Sequence, residues 1–267
     1  MKNKNSLDTL CAALCYAMGV DAPVCSAEPN KDLCDYIDNT LKGEKADRIF
    51  MYNPDAIAQW IYEKYNSMFD VIKAKTEIEI PFCTVMPSVT PVCFGTMYTG
   101  AKPEVHGIQA YVKPVIRIDT IFDAFIRAGK KVAIVSTSRD SMSKIFLERN
   151  MDYFIYDTIE QVNAKAAQLI IEDDHDFIAV YNGNFDAYMH KFGPESVEAL
   201  GALSANVKAY ETFCEMIEEH WKAHNSLVGF AMDHGCHEID GNCGSHGLDM
   251  EEDLNIVQLY KVLKAEN

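Results

Sequence analysis

Positive charge is scarce in this chain: 24 Lys and Arg stand against 40 Asp and Glu, a formal net charge of -16, and the basic residues never form a run. That excludes a nucleic-acid partner, because neutralising a phosphate backbone takes a basic patch. Long apolar runs are missing as well. No stretch approaches the roughly 20 residues needed to span a bilayer. Lys2 and Lys4 precede an apolar run from Leu10 to Val20, but Asp8 and Asp21 interrupt it, so it reads as an amphipathic helix rather than a signal peptide. Paired cysteine motifs are absent too. The nine cysteines (Cys11, Cys15, Cys25, Cys34, Cys83, Cys93, Cys214, Cys236 and Cys243) are odd in number and contain no CxxC spacing, so no disulfide framework is expected and a reducing, cytoplasmic compartment is. Cys236 and Cys243 flank a glycine-rich loop and could pair or hold a structural metal, or be ordinary thiols. No linker, repeat or low-complexity block divides the chain, which predicts one domain over 1–267 without a large cap, with 1–42 as a helical N-terminal extension packed on it.

What is present is an alternation of short apolar runs and helical periods, in a sequence that is 48% hydrophobic. Strands are expected at Arg48–Tyr52, Glu77–Val85, Lys131–Ser136, Phe154–Tyr156, Phe177–Tyr181, Leu227–Met232 and near Asn255–Tyr260. Helices are expected at Ser6–Met18, Ala56–Phe69, Thr120–Gly129, Ser141–Arg149, Ile159–Ile171 and Ser196–His220. Such βαβ alternation predicts an α/β fold: a mostly parallel central sheet with helices on both faces, whose ligands bind beyond the carboxyl ends of the strands.

The stretch Pro87-Ser88-Val89-Thr90-Pro91 leads from an extended segment into a helix ending near Gly100. Thr90 at the cap and Pro91 at the first helical position mark its start. A hydroxyl there sits beside free backbone N–H groups and the positive end of the helix dipole, a natural anion site, although a capping threonine alone explains the same residues. Several carboxylates and imidazoles fall just past other strand ends: Asp55, Asp186 with His190, Asp233 with His234, and His246. Asp186 and His190 have the i, i+4 spacing of one helical face. Each pair alone also describes a solvated helix face. Together on one rim, imidazole and carboxylate donors suit zinc, with manganese or iron as alternatives. Metal is the simplest way for so acidic a protein to handle phosphate.

Four motifs resemble the nucleotide pyrophosphatase/phosphodiesterase branch of the alkaline phosphatase superfamily. Pro87–Thr90 followed by Thr99-Gly100-Ala101-Lys102-Pro103-Glu104-Val105-His106-Gly107-Ile108 is similar to its nucleophile motif. Asp186-Ala187-Tyr188-Met189-His190 through Gly193-Pro194-Glu195-Ser196 is similar to its D-x-x-x-H-x-x-G-P-x-S motif. Asp233-His234-Gly235 matches its DHG, and Asp55 and His246 match its first and last ligands. The likeness runs from about Arg48 to Tyr260. It implies two divalent metal ions, zinc or manganese: one held by Asp55, Thr90, Asp233 and His234, the second by Asp186, His190 and His246. Thr90 would be the nucleophile of a phosphodiesterase or nucleotide pyrophosphatase, acting on a small phosphorylated substrate through a phosphothreonine. His106 would be structural. Where the branch places an asparagine that donates to a phosphoryl oxygen, this chain has Cys93, a weak donor, expected to face substrate. Eleven residues separate His234 from His246, so the site is expected to be open. The same scaffold also carries phosphomonoesterases and phosphonate or phosphosugar hydrolases, and a metal-binding module without turnover is the reading from another class.

Overall fold

A computed structural model describes residues 1–266. Ten strands form: β1 (Asn5–Ser6), β2 (Arg48–Pro54), β3 (Ile78–Cys83), β4 (Val132–Thr137), β5 (Asp152–Tyr156), β6 (Phe177–Asn182), β7 (Ser226–Phe230), β8 (His237–Ile239), β9 (Cys243–Ser245) and β10 (Asn255–Leu263). Eight make one sheet in the order β1-β3-β10-β7-β2-β6-β4-β5, and β8 and β9 form a separate antiparallel pair. From β7 to β5 every pairing is parallel. β10 is antiparallel to both β3 and β7, so the sheet is mixed at this point. The reason lies in the chain path. Asp253 bonds to Gly235 just beyond β7, so the chain enters β10 at the rim where β7 ended and must run back down the sheet.

The strands in the middle of the sheet are mostly apolar because both their faces are covered. β6, Phe177–Asn182, is buried at every position. On one face the helices Ile159–Glu172 and Val197–His220 pack together; Phe50 of β2 meets Phe213 and Trp221, and Tyr52 meets Tyr210. On the other face the helices Thr9–Ala17, Thr90–Thr99 and Ile121–Arg127 contact one another. There Tyr98 and Phe122 close on Phe146 and Phe177. The N-terminal segment is thus part of the main core: Leu10, Cys11 and Leu14 are fully buried in it, and β1 pairs with β3. No separate cap stands over the sheet among the described residues, and no helix among them is long and apolar enough to cross a membrane.

Several element boundaries differ from the sequence expectation. The run from Ala56 to Phe69 starts only at Gln59 and breaks into a helix, Gln59–Lys64, and a 3-10 turn, Asn66–Phe69, because Ala56 takes a left-handed φ of 61°. The expected Ser141–Arg149 helix is a single turn, Met142–Ile145, and Glu148 at φ 67° ends any continuation. Asp186 and His190, whose i, i+4 spacing suits one helical face, lie inside the helix Asn184–Phe192.

The His106-Gly107 dipeptide has a structural cause. A Cβ on Gly95 would lie 2.7 Å from the His106 ring, so only glycine lets the Thr90–Thr99 helix close over that imidazole. The Ile108 amide donates to Nδ1, and Nε2 lies 3.1 Å from Thr96 Oγ1, which fixes a neutral imidazole with its proton on Nε2. Burial lowers its pKa to about 4 from an ordinary 6.5. Between those values the unfolded chain binds the proton and the folded chain does not, so this contribution to stability is complete above pH 6.5 and is lost as pH falls toward 4. A His106→Gln variant should lose stability at neutral pH yet decline less steeply across that window in thermal melts. Parallel profiles would show that His106 is not the titrating group. Gly95→Ala should cost about 1–3 kcal/mol by overpacking, read by chemical denaturation.

Candidate metal centre

β3 and β7 both run antiparallel to β10, so β2, β3, β6 and β7 end at one edge, and each delivers a side chain there. Asp55 follows β2, Thr90 follows β3, Asp186 and His190 follow β6, and Asp233 and His234 follow β7. His246 arrives from the β8–β9 hairpin. All seven expected ligand positions converge. They form two groups, Asp55/Asp233/His234 and Asp186/His190/His246, and within each group one donor atom per residue lies within 4.8 Å of the others. Thr90 Oγ1 joins the first, 3.4 Å from Asp55 Oδ2 and 3.3 Å from His234 Nε2.

The three imidazoles are oriented by backbone carbonyls. His234 Nδ1 lies 2.9 Å from Gly235 O, His190 Nδ1 lies 3.0 Å from Gly244 O, and His246 Nδ1 lies 3.0 Å from Ser88 O. A carbonyl can only accept, so each Nδ1 carries the proton and each Nε2 turns a lone pair inward, as in ligating histidines. His190 Nε2 and His246 Nε2 then face each other at 3.0 Å, both 3.2 Å from Asp186 Oδ1. His234 Nε2 lies 3.3 Å from Asp55 Oδ1 and 3.4 Å from Asp233 Oδ2. Those three carboxylate oxygens are buried and have no hydrogen-bond partner. Buried, unbonded oxygens opposite converging lone pairs are repulsive unless positive charge sits among them. The donor set therefore fits divalent cations in both groups.

The protein supplies little of that charge itself. No lysine or arginine bonds to any of the seven side chains among the described residues. Burial, then the neighbouring Asp55, pushes the Asp233 carboxyl well above its usual range. Burial would lower the pKa of His234, but Asp233 and Asp55 outweigh it and raise the imidazole to about 10. Burial likewise opposes ionisation of Asp186, yet His190 and His246 hold it below the ordinary carboxylate value.

Several supports were not visible in the sequence. The Tyr181 hydroxyl donates to Asp55 Oδ2, and Gly183 leaves room for that phenol, since a Cβ there would come within 2.7 Å of it. Gly244 carries the carbonyl that orients His190, and it can do so only without a side chain, because a Cβ would meet Met189 Sδ at 2.3 Å. The Ala56 amide donates to Asp233 Oδ1 at 3.2 Å. Thr90 itself is the first helical residue, with Val89 rather than Thr90 at the cap position. The amides of Val92 and Cys93 both reach the Val89 carbonyl and Pro91 has none, so Thr90 N–H alone is left without a backbone acceptor at this helix start. Cys93 is fully buried. Its Sγ lies 3.1 Å from Thr84 Oγ1, which reaches Asp233 O at 2.9 Å; with one proton to give, that hydroxyl donates to the carbonyl and accepts from the thiol. Burial and the nearby Asp233 raise the Cys93 pKa, so the thiol keeps its proton.

This architecture recurs among solved structures. Murine ectonucleotide pyrophosphatase/phosphodiesterase 5 in complex with AMP superposes with a TM-score of 0.58 at 17% identity, over 73% of this chain and 59% of that one. The human protein gives 0.58 at 17% identity, over 72% and 58%. Phosphonoacetate hydrolase from Sinorhizobium meliloti 1021 in complex with phosphonoformate gives 0.55 at 18%, over 74% and 59%. The likeness is one of fold, an alkaline-phosphatase-like α/β arrangement. No family model matches the sequence, and no curated protein matches it. The chain spans about three fifths of the length of these alkaline-phosphatase-fold structures.

Asp186→Ala or His190→Ala should remove one equivalent of bound metal selectively, and Asp233→Ala the other, measured by elemental analysis of purified protein. Complete loss in all three variants would instead mean one coupled cluster.

Proposed function

We propose that this chain is a two-metal phosphoesterase, a phosphodiesterase or nucleotide pyrophosphatase that cleaves phosphoric ester or anhydride bonds through Thr90. The observation that supports it is the placement of one buried hydroxyl, Thr90 Oγ1, against Asp55 and His234 of the first ligand group, at the start of a ten-residue helix. Two divalent cations, zinc or manganese, held by Asp55, Asp233, His234 and Thr90 and by Asp186, His190 and His246, would neutralise the phosphoryl oxygens and ease ionisation of the hydroxyl. The residues do the positioning. Helical backbone and burial hold Thr90 in one place, which turns attack on a bound ester into an oriented, effectively unimolecular step. Thr90 Oγ1 forms its bond to phosphorus as the leaving oxygen departs on the opposite side, and water later displaces the phosphoryl group from Thr90. The unbonded Thr90 N–H and the helix dipole are the donor and field available to a phosphoryl oxygen. Cys93 was expected in that role; its bond to Thr84 supports packing behind Asp233 instead.

Charge favours a diester. Three aspartates and one alkoxide balance two dications, so a monoester dianion would bring charge with little left to neutralise it, whereas a diester brings one negative charge. Nine free cysteines support a reducing, cytoplasmic setting, and the continuous core from Leu7 to Val262 supports reading 1–267 as one domain.

A panel of aryl monoesters and diesters, assayed with metal-replete protein, tests the reading. Diester turnover should exceed monoester turnover. Thr90→Ala should keep fold and metal and lose activity by orders of magnitude, and Thr90→Ser should retain part of it. Turnover of Thr90→Ala at the parent rate would show that water attacks directly.

A further inference from the structure

Resting on that phosphoesterase reading, we infer that Lys113 and Arg139 form a cationic clamp on the rim of the metal centre, selecting substrates that carry a second anionic group beyond the phosphorus attacked by Thr90. Strand register puts them there. Val135 of β4 is level with Val180 of β6, so Thr137 at the end of β4 is level with Asn182 at the end of β6, which in turn pairs with Pro54. Asp55 and Asp186 leave the sheet just past Pro54 and Asn182. Arg139 leaves it just past Thr137, on the same edge, one strand over from β6.

Arg139 is exposed and adopts a left-handed φ of 73°, a conformation that a bulky residue rarely takes and that clusters at functional sites. Lys113 Nζ donates to the Arg139 carbonyl at 2.8 Å and stands 5.1 Å from the centroid of the Tyr111 ring, which holds the ammonium beside it. Tyr111 is 60% exposed. Burial first, and then the charges of Asp55, Asp186, Asp140 and Asp233, raise its phenol pKa.

Neither Lys113 nor Arg139 is ion-paired among the described residues, although the chain carries a net charge of -16. Asp140, the nearest acid in sequence, is turned away: its carboxylate takes bonds from Ser136 Oγ, Thr137 Oγ1 and the Ser143 amide. Asp157, just past the end of β5, is engaged by Ser138 Oγ at 3.1 Å, so once cations balance the aspartates of the two ligand groups, Lys113 and Arg139 remain two cations without an ion pair beside the site. An ammonium held at the Arg139 carbonyl and a guanidinium carried by that same residue suit a carboxylate or phosphate on the substrate's far arm.

The test compares two phosphodiesters that share a 4-nitrophenolate leaving group and differ only in a carboxylate at the end of the second ester arm. The parent protein should favour the carboxylated ester about tenfold or more in kcat/KM at low salt, and the preference should shrink as ionic strength rises. Lys113→Met and Arg139→Gly, the glycine suiting the left-handed backbone, should each reduce the ratio, and the double variant should bring it to about one, with thermal melts confirming the fold. No preference in the parent protein, or an undiminished preference in a folded double variant, would overturn the clamp. Turnover of the plain diester tests the hydrolase reading separately. Calorimetric titration of both esters into Thr90→Ala protein gives the same ratio from Kd values without turnover, so a chain that cleaves neither ester still decides whether the clamp exists.

Discussion

Three aspartate side chains converge at one sheet edge, two of them fully buried, and no lysine or arginine among the described residues answers them. Asp55 and Asp233 are 1% and 0% exposed, and an ionised carboxylate without a partner in such surroundings costs several kcal/mol. Everything near the edge follows from that constraint. Without cations the strain is met by protons, which is why Asp233 and His234 both have raised pKa values. With cations the same geometry becomes favourable, because each unbonded carboxylate oxygen and each inward Nε2 acquires a partner. Metal affinity and local stability are then one quantity, since a site that forms only in the folded chain returns its binding free energy to folding.

Holding seven donors within reach of one another also requires that nothing else move. The imidazoles are fixed by the backbone carbonyls of Gly235, Gly244 and Ser88. Two of those residues are glycines in tight contact: a Cβ on Gly235 would lie 2.0 Å from the Glu252 carbonyl. Asp253 completes the scaffold from outside the ligand set, accepting from the Leu248 amide and from His237 Nδ1 and so tying the segment that carries His246 to the start of β10. The antiparallel β10 is therefore a consequence of the site as much as of the sheet, because the chain that delivers His246 must return from the rim.

The sequence disclosed the candidate ligands more fully than their supports, for a physical reason. Candidate ligands are Asp, His or Thr at strand ends, and that chemistry is written in residue identity; Asp186 and His190 share one helical face by their i, i+4 spacing and stand out only together with the other strand-end groups. Orientation is done by backbone groups, which every residue has, so the carbonyls of Ser88 and Gly244 leave no mark beyond the need for a glycine. Tyr181 was readable as the last residue of a strand, but that its hydroxyl reaches Asp55 depends on the register of β2 against β6. Cys93 is a different case. The resemblance set it where the branch places an asparagine, but its burial and its contact with Thr84 follow from how the helix packs, which no motif spacing contains. The parallel part of the sheet followed from βαβ alternation, and the reversal at β10 could not, since direction is set by where the preceding loop ends.

An open rim, as the short connection from His234 to His246 predicts, would change where selectivity can come from. The chain covers about three fifths of the length of the solved structures that share its fold, and only a short hairpin lies between His234 and His246. A deep pocket can discriminate by shape and by buried hydrogen bonds. A shallow one cannot exclude water from a leaving group, so contacts there depend on charge, and charge acts over a Debye length of about 8–10 Å. In a chain this acidic, any anionic substrate is repelled at a distance by most of the surface. The approach that costs least runs over uncompensated cations near the metal ions themselves. In the clamp inferred above, Lys113 and Arg139 would stand on that approach, one strand beyond the candidate ligands that follow β6. Specificity in this molecule is then expected to reside in the direction from which an anion can arrive, more than in any cavity that encloses it.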